Sequence, residues 1–489
     1  MEKLKYPQER LTRERKDKLQ LWIEKEGNPY LTKFTPQHST QWIKDTYESI
    51  KPGEKTDTRV LIAGRVLASR GHGKTIFADI KDGEGKIQVY GREDVLGEKY
   101  PLFKKLDVGD IIGIKGKIFK TKTGELTVEV LSFSLLAKSL RVLPEKWHGL
   151  QDIELRYRKR YLDLLSNPQV KKVFLTRGLI IRYIRDFLDK KGFLEVETPM
   201  MQSIPGGATA KPFQTHHQAL DEDLYLRIAP ELYLKKLVVG GMEKVYELNR
   251  VFRNEGIDRS HNPEFTMLEV YSAYSSYKEM MELTEELICQ VTEKIKGSLN
   301  ISYQGSQIDL SPPWKRITFE AALKEIGGIE VDWGDEDKLR KTATEVGFKV
   351  EGLRDDQIIE HLLDKQVVPR LIQPTFIFDY PSLTSPLAKR KKENLSLIER
   401  FEIFIGGMEL ANAYSELNDP IEQRQRFLEM GTEKELLDED FLEALEYGMP
   451  PTGGLGIGID RLVMVLTDSA SIRDVILFPQ MKSKRQNQE

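Results

Sequence analysis

Between Arg250 and Tyr271 the chain alternates like two strands around a polar loop, and few folds accept what the second strand carries. The period of two puts Phe265, Met267, Glu269 and Tyr271 on one face, and groups Glu247, Asn249, Val251 and Arg253 on the strand before it. A carboxylate set among apolar and aromatic groups is costly unless a cation or a donor meets it. Glu269 therefore calls for a partner, from the protein or from a ligand. The loop, with Gly256 and Pro263, is dominated by Arg, Asn, Glu and His, which argues against two surface strands paired only by salt bridges.

A second segment runs from Arg400 to Asp419. If Gly406-Gly407 is a two-residue hairpin turn, Ile405 pairs with Met408 and Phe404 with Glu409. Glu402 then lies diagonal to Glu409 on one face, about 7–8 Å away along the backbone, within reach of a shared hard cation. Oxygen donors without a His or Cys cluster favour magnesium bridging to phosphates over zinc. Strict alternation sends Asn412 and Glu416 to the opposite face from Glu409, whereas their spacing also suits a helix; both arrangements stay open.

The third segment is Gly453-Gly-Leu-Gly-Ile-Gly-Ile-Asp-Arg461, followed by the apolar run Leu462–Leu466. Its glycines do not follow G-x-G-x-x-G, and no complete P-loop G-x-x-x-x-G-K-[ST] occurs in the chain, which disfavours Rossmann and Walker sites. The pattern predicts a strand whose glycines admit a ligand, leading into a helix with Arg461 in its first turn. A guanidinium at a helix N-terminus is a phosphate site, though glycines also simply allow close packing.

At 489 residues, and roughly 150 per domain, the chain has room for two to four units. Its 74 Lys and Arg against 77 Asp and Glu give no steering field for phosphate, so any nucleic-acid site must be local. One cysteine, Cys289, excludes an intrachain disulfide and falls in a helical apolar pattern that reads as core. The start has no apolar leader pattern and no stretch is long enough for a membrane span; the cytosol is the expected compartment.

From 58 to 140, short apolar runs between Gly-rich turns predict five strands in a small closed barrel of the oligonucleotide-binding type. Such barrels stack single-stranded bases on aromatics, and Arg65, Phe77, Gln88 and the turn Lys120–Glu125 offer that chemistry. Phe77 alternatively fills the barrel. Residues 1–57 read as a basic helical extension, in which Lys3, Lys5, Arg10, Arg13, Arg15, Lys16 and Lys18 accompany Leu4, Leu11 and Leu19 at helical spacing. A linker with Pro144 is expected over 141–165, a further unit over 166–489 with antiparallel alternation at 224–275, and a Pro-rich insertion over about 340–395.

These segments resemble the ordered motifs of class II aminoacyl-tRNA synthetases. Gly192–Pro199 is similar to motif 1, Phe252–Glu255 with His261–Phe265 to motif 2, and Gly456–Arg461 to motif 3. Within the class the resemblance is strongest to the lysyl enzymes, through Ile204–Ala208, Ile228–Tyr233, Glu269–Tyr271 and Asn412–Asp419, and it covers nearly the whole chain from the barrel onward.

The resemblance implies an α+β chain: an antiparallel-sheet catalytic domain flanked by helices, an N-terminal OB-fold anticodon-binding barrel, and a homodimer built partly on motif 1. It implies ATP contacts from Arg253, Asn254, Glu255, His261, Asn262, Phe265, Glu402, Ile403, Gly458 and Arg461, with Arg253 and Arg461 catalytic. Glu402 and Glu409 are implied as Mg2+ ligands. Gly207, Glu231, Arg253, Glu269, Tyr271, Asn412 and Glu416 are implied around L-lysine, and Arg65, Phe77, Gln88 and Glu125 around the anticodon of tRNA(Lys). Two rivals share the fold. A protein-lysylating paralogue resembles the catalytic domain without the barrel. A non-catalytic RNA-binding or regulatory relative predicts losses among Arg253, Glu402, Glu409 or Arg461, and all four are present.

Overall fold

The computed structural model describes residues 5–143, 150–208, 210–429 and 437–482. Lys3, Leu4 and Pro144 lie outside them. Two compact units divide the chain, Met1–Gly149 and Leu150–Glu489.

In the first unit five strands close a barrel in the order Lys55–His72, Thr75–Lys81, Lys86–Arg92, Leu126–Ala137, Ile111–Lys120. Alternation fills its interior with Val60, Ile62, Ile76, Ile80, Val89 and Ile114, all buried, and leaves Phe77, Gln88 and Tyr90 on the outer surface. Phe77 therefore does not fill the barrel. The basic extension is the helix Lys5–Glu26, but its leucines are not the inward stripe. Leu11 is exposed, while Arg15 and Trp22, two turns apart, are buried. The Arg15 guanidinium donates to the carbonyls of Val108 at 3.1 Å, Ser139 at 2.9 Å and Arg141 at 2.8 Å, and so ties the helix to the end of the barrel. The basic helical extension thus spends one arginine on satisfying backbone acceptors.

The second unit is built on an eight-stranded sheet in the order Lys315–Thr318, Thr375–Pro381, Leu397–Ile405, Met408–Ser415, Thr452–Gly458, Glu264–Ala273, Lys244–Phe252, Leu194–Glu195. Its pairs are antiparallel except at the two ends. One face packs on the helices Pro168–Lys190, Tyr277–Lys296 and Ile459–Thr467 through Leu268, Val270, Ile403, Ala413 and Ile457. Cys289 lies in that core, where its thiol donates to the Leu310 carbonyl at 3.1 Å.

Three expectations change. The span 224–275 is not all strand, because Glu231–Val239 is a helix. The second half of the expected linker is helical, over Ile153–Arg158 and Arg160–Ser166, and Arg160 is buried against Asp163 at 2.7 Å and the carbonyls of Arg473 and Leu477. The expected insertion contributes Thr375–Pro381 to the main sheet; its remainder includes helices Glu336–Glu345 and Asp355–Gln366 around a separate apolar cluster.

Arg15→Ala should leave three backbone acceptors without their donor, at about 2 kcal/mol, and speed amide exchange along the N-terminal helix roughly thirtyfold. Unchanged exchange in that helix would show that other contacts hold it.

Candidate active site

The face of the large sheet opposite the helices carries charge, and the register aligns it in rows. Glu247 pairs with Glu269, Glu269 with Gly456, Gly456 with Asn412, and Asn412 with Glu402. The next row runs from Tyr271 through Gly454 and Tyr414 to Arg400. The turn at Gly406-Gly407 pairs Phe404 with Glu409 and Ile405 with Met408, as the dipeptide predicts, and both glycines have positive φ. Beyond it the register shifts between Ile403 and Phe404, so Leu410 is the extra residue of a bulge, buried in the apolar core. This one insertion returns Asn412, Tyr414 and Glu416 to the same face as Glu402 and Glu409, which strict alternation denied them.

The result is a cavity of about 540 Å3 with two chemically distinct ends. At one end stand Gly207, Glu231, Glu269, Tyr271, Tyr414 and Glu416. Glu269 is buried and accepts from the Tyr271 hydroxyl at 3.1 Å. Burial, with Glu231 adding repulsion, lifts its carboxyl to about 8. Burial also pushes Glu416 well above the usual carboxylate range, against the pull of Lys235, its ion-pair partner. Gly454 is required here, since a Cβ would fall 1.8 Å from Glu416 Oε1. At Gly207, with φ +87°, an added Cβ would lie 3.0 Å from Glu231 Cβ. Gly454 of the third segment therefore makes room for a carboxylate of the protein itself.

At the other end Arg253, Arg400, Glu402 and Glu409 line the cavity, with Arg354, Glu360 and Asp364 from the loop and helix that cover it. Glu402 accepts from Arg400 at 2.6 Å and from Tyr380 at 2.8 Å, yet burial still raises its carboxyl to about 8. Burial opposes ionisation of Glu409 too, but Arg461, at 3.0 Å, holds that carboxyl below its usual range. The Arg461 guanidinium also bonds the Glu409 carbonyl at 2.8 Å and approaches His261 Nε2 at 3.3 Å. Asp460 beside it accepts from the Thr266 N–H and from Arg177, each at 2.6 Å, pinning the first turn of the helix to the strand that carries Phe265. Arg253 rests on the Phe265 ring at 5.3 Å, and burial lowers its guanidinium from the ordinary arginine value.

Glu402 and Glu409 fit a magnesium ion, which takes one or two carboxylates and completes its shell with water and phosphate oxygen. No cluster of three or more His, Cys, Asp or Glu residues suited to a metal occurs among the described residues.

Not every expected residue faces this cavity. Asn254, Glu255 and His261 are exposed in the loop 253–263, where His261 bonds Asp258 at 2.8 Å. Asn262 is turned to the loop's own frame, donating to the Glu264 carbonyl at 2.6 Å and accepting from the Gln480 N–H at 3.3 Å. The Ile403 side chain is in the apolar core, leaving only its backbone for any ligand. Gly458 caps the helix Ile459–Thr467 below Arg461. The sequence reading missed Lys235, Tyr414, Arg400 and Tyr380. Lys235 was signalled by its four-residue spacing from Glu231, and Arg400 and Tyr414 by alternation with Glu402 and Asn412.

On the barrel, Phe77 stacks on Tyr90 at 4.5 Å between centroids and 26° between planes, and Phe119 lies 5.8 Å beyond Tyr90. Gln88 accepts from the Thr127 hydroxyl at 3.0 Å, Arg65 donates to the Gly109 carbonyl at 2.7 Å, and Glu125 closes the turn through its N–H to Thr121. Phe77 and Gln88 share the outer surface, whereas the Arg65 guanidinium is engaged at the barrel end.

The family described as tRNA synthetases class II (D, K and N) matches residues 152–482, and that of the OB-fold nucleic acid binding domain matches 60–136. A lysine–tRNA ligase of Carboxydothermus hydrogenoformans is 58% identical, with 93% of this chain and 94% of the relative aligned. One from Moorella thermoacetica is 56% identical over 94% and 95%, and one from Oceanobacillus iheyensis 51% over 96% and 98%.

The raised carboxyl of Glu269 has a consequence for stability. Between its unfolded value near 4.5 and about 8, the folded chain keeps a proton that the unfolded chain releases, so this group weakens the fold increasingly as pH rises through that window. Glu269→Gln should raise the melting temperature of the ligand-free protein, by a margin that grows from pH 5 to pH 8 and then levels. Calorimetry across that range checks it; a margin independent of pH would contradict the burial argument.

Proposed function

The chain belongs to the lysine–tRNA ligases, a family of class II tRNA synthetases, and from that premise we propose how its residues perform the ligation. It is an aminoacyl-tRNA synthetase that ligates lysine to tRNA, and nothing favours a non-catalytic or protein-lysylating relative. The observation that carries the residue assignment is the two-ended cavity, with buried carboxylates at one end and, at the other, guanidiniums beside the Glu402 and Glu409 pair that fits a magnesium ion. That is the complement of a dibasic amino acid beside a polyphosphate.

In the first proposed step the lysine carboxylate attacks the α-phosphorus of ATP, giving lysyl-adenylate and pyrophosphate. The attacking carboxylate is already ionised, so no general base is needed and the work is positioning and charge stabilisation. Arg253 bridges the lysine carboxylate and the α-phosphate, and Phe265 stacks on adenine. Glu255, Asn254, His261 and the Ile403 backbone border the nucleotide, with Arg461 and Gly458 at its far phosphates. Asn262 serves by shaping the loop. Mg2+ held by Glu402 and Glu409 would neutralise phosphate charge. Glu231, Asn412 and the Gly207 backbone receive the α-amino group, and Glu269, Tyr271 and Glu416 receive the side-chain ammonium. An uncharged side chain would leave those buried groups unpaired, which is a strong basis for rejection.

In the second step a terminal ribose hydroxyl of the tRNA attacks the lysyl carbonyl, forming the ester and releasing AMP. Phe77, with Gln88 beside it and Arg65 and Glu125 at the margins, is the proposed anticodon platform of tRNA(Lys), supported by the aromatic stack on the barrel surface. A homodimer is proposed on the exposed apolar residues around motif 1, Leu175, Leu179 and Leu194, which a second copy would cover. No helix among the described residues is long and apolar enough to cross a membrane, and the cytosol is the proposed compartment.

Purified protein is expected to exchange radiolabelled pyrophosphate into ATP only with lysine and magnesium present. Exchange driven by aspartate or asparagine would sink the residue assignment. Phe77→Ala should slow tRNA charging at least tenfold while leaving exchange within about twofold, given stacking worth 1–3 kcal/mol per base. Equal losses in both assays would contradict a barrel that serves only tRNA.

A further inference from the structure

Lys235 is fully buried and takes no part in the chemistry described above. It sits one helical turn after Glu231, whose Oε1 accepts from its ammonium at 2.6 Å, and it also forms an ion pair with Glu416. The Tyr414 hydroxyl donates to the same Glu231 oxygen at 2.6 Å. The rings of Tyr414 and Phe441 flank the ammonium at 5.6 and 5.9 Å. Lys235 does not line the cavity; it stands behind the two carboxylates that do. Glu416 Oε1 is buried without a hydrogen-bond partner among the described residues and Oε2 meets the Lys235 ammonium, so that ammonium is what the protein itself offers this carboxylate.

The wall holds three buried carboxylates, Glu231, Glu269 and Glu416. Free lysine brings two ammonium groups, and Arg253 stands ready for its carboxylate. We infer that Lys235 is a specificity-determining positioning residue, whose internal ammonium spans Glu231 and Glu416, fixes their separation, and reduces three carboxylates to the two negative equivalents that a dibasic amino acid neutralises. The inference rests on the proposed reading of this cavity as the lysine site. Burial works against its charge, but Glu231 and Glu416 hold Lys235 protonated above the usual lysine range, which keeps that ammonium constant at neutral pH.

A bystander ion pair and a charge-setting one differ under double substitution. Lys235→Met leaves three carboxylates facing one another, so the KM for lysine in pyrophosphate exchange should rise at least tenfold while the KM for ATP stays within about twofold. Adding Glu416→Gln removes one carboxylate with the cation and restores two equivalents. The double variant should then have a lower lysine KM than Lys235→Met alone, although Glu416→Gln by itself raises it. Additive losses, or a lysine KM unmoved by Lys235→Met, overturn the inference. Should Lys235→Met fail to fold, the near-isosteric double variant carries the test: a lysine KM above that of Glu416→Gln alone by the full tenfold also overturns it. Wild-type protein without lysine-dependent exchange would instead overturn the reading of the cavity.

Discussion

The period-two geometry of one sheet is the constraint on which the second unit depends. Every strand must send half of its side chains to the helix-covered face and half to the other, and the sequence divides them by chemistry rather than by solvent. Leu268, Val270, Ile403 and Ile457 go to the core, while Glu269, Tyr271, Glu402 and Asn412 go to the cavity. Because the cavity side is also largely buried, its charges are desolvated, and several carboxylates are met by a guanidinium: Arg400, two residues away on the same strand, on Glu402; Arg461, from the helix Ile459–Thr467, on Glu409; and Arg227 on Glu247 at 2.7 Å. A one-residue slip would exchange the two sets, so the register is strongly specified.

Much of this was legible because alternation and glycine turns are local. The Glu264–Ala273 strand, the Gly406-Gly407 turn and the strand-to-helix passage at Arg461 all follow from spacing alone. What escaped were features set by distant partners. The bulge at Leu410 depends on how Met408–Ser415 pairs with Leu397–Ile405, and the sequence around it alternates no differently from its surroundings. The helix Glu231–Val239 was hidden because Leu-Tyr-Leu and Leu-Val-Val also suit strands; its character is decided by packing of Leu234 and Val238 into a neighbouring cluster. The buried role of Arg15 could not be read either, since its partners are carbonyls more than ninety residues away.

The glycines of Thr452–Gly458 show how the two kinds of information combine. Sequence suggests that something approaches that strand closely, without saying what. In the sheet, Gly454 lies between Tyr271 and Tyr414, and Gly456 between Glu269 and Asn412. Side chains at these two positions would occupy the space into which the flanking strands turn their polar groups. At Gly456 an added Cβ would come within 3.0 Å of the Met267 side chain. The glycine strand is thus the floor across which the polar groups of the two flanking strands face one another.

A protein that desolvates carboxylates to recognise a cation must keep them from being neutralised by protons instead. Burial favours the protonated form of Glu269, Glu402 and Glu416. Each fixed guanidinium or ammonium nearby opposes that tendency, and its distance sets how far the carboxyl remains available to a ligand. Glu409, bonded directly to Arg461, is held ionised. Glu269, whose hydrogen bond comes from a neutral phenol, is left easily protonated. Under the proposed assignment, recognition of an ammonium at this position would be coupled to release of a proton near neutrality.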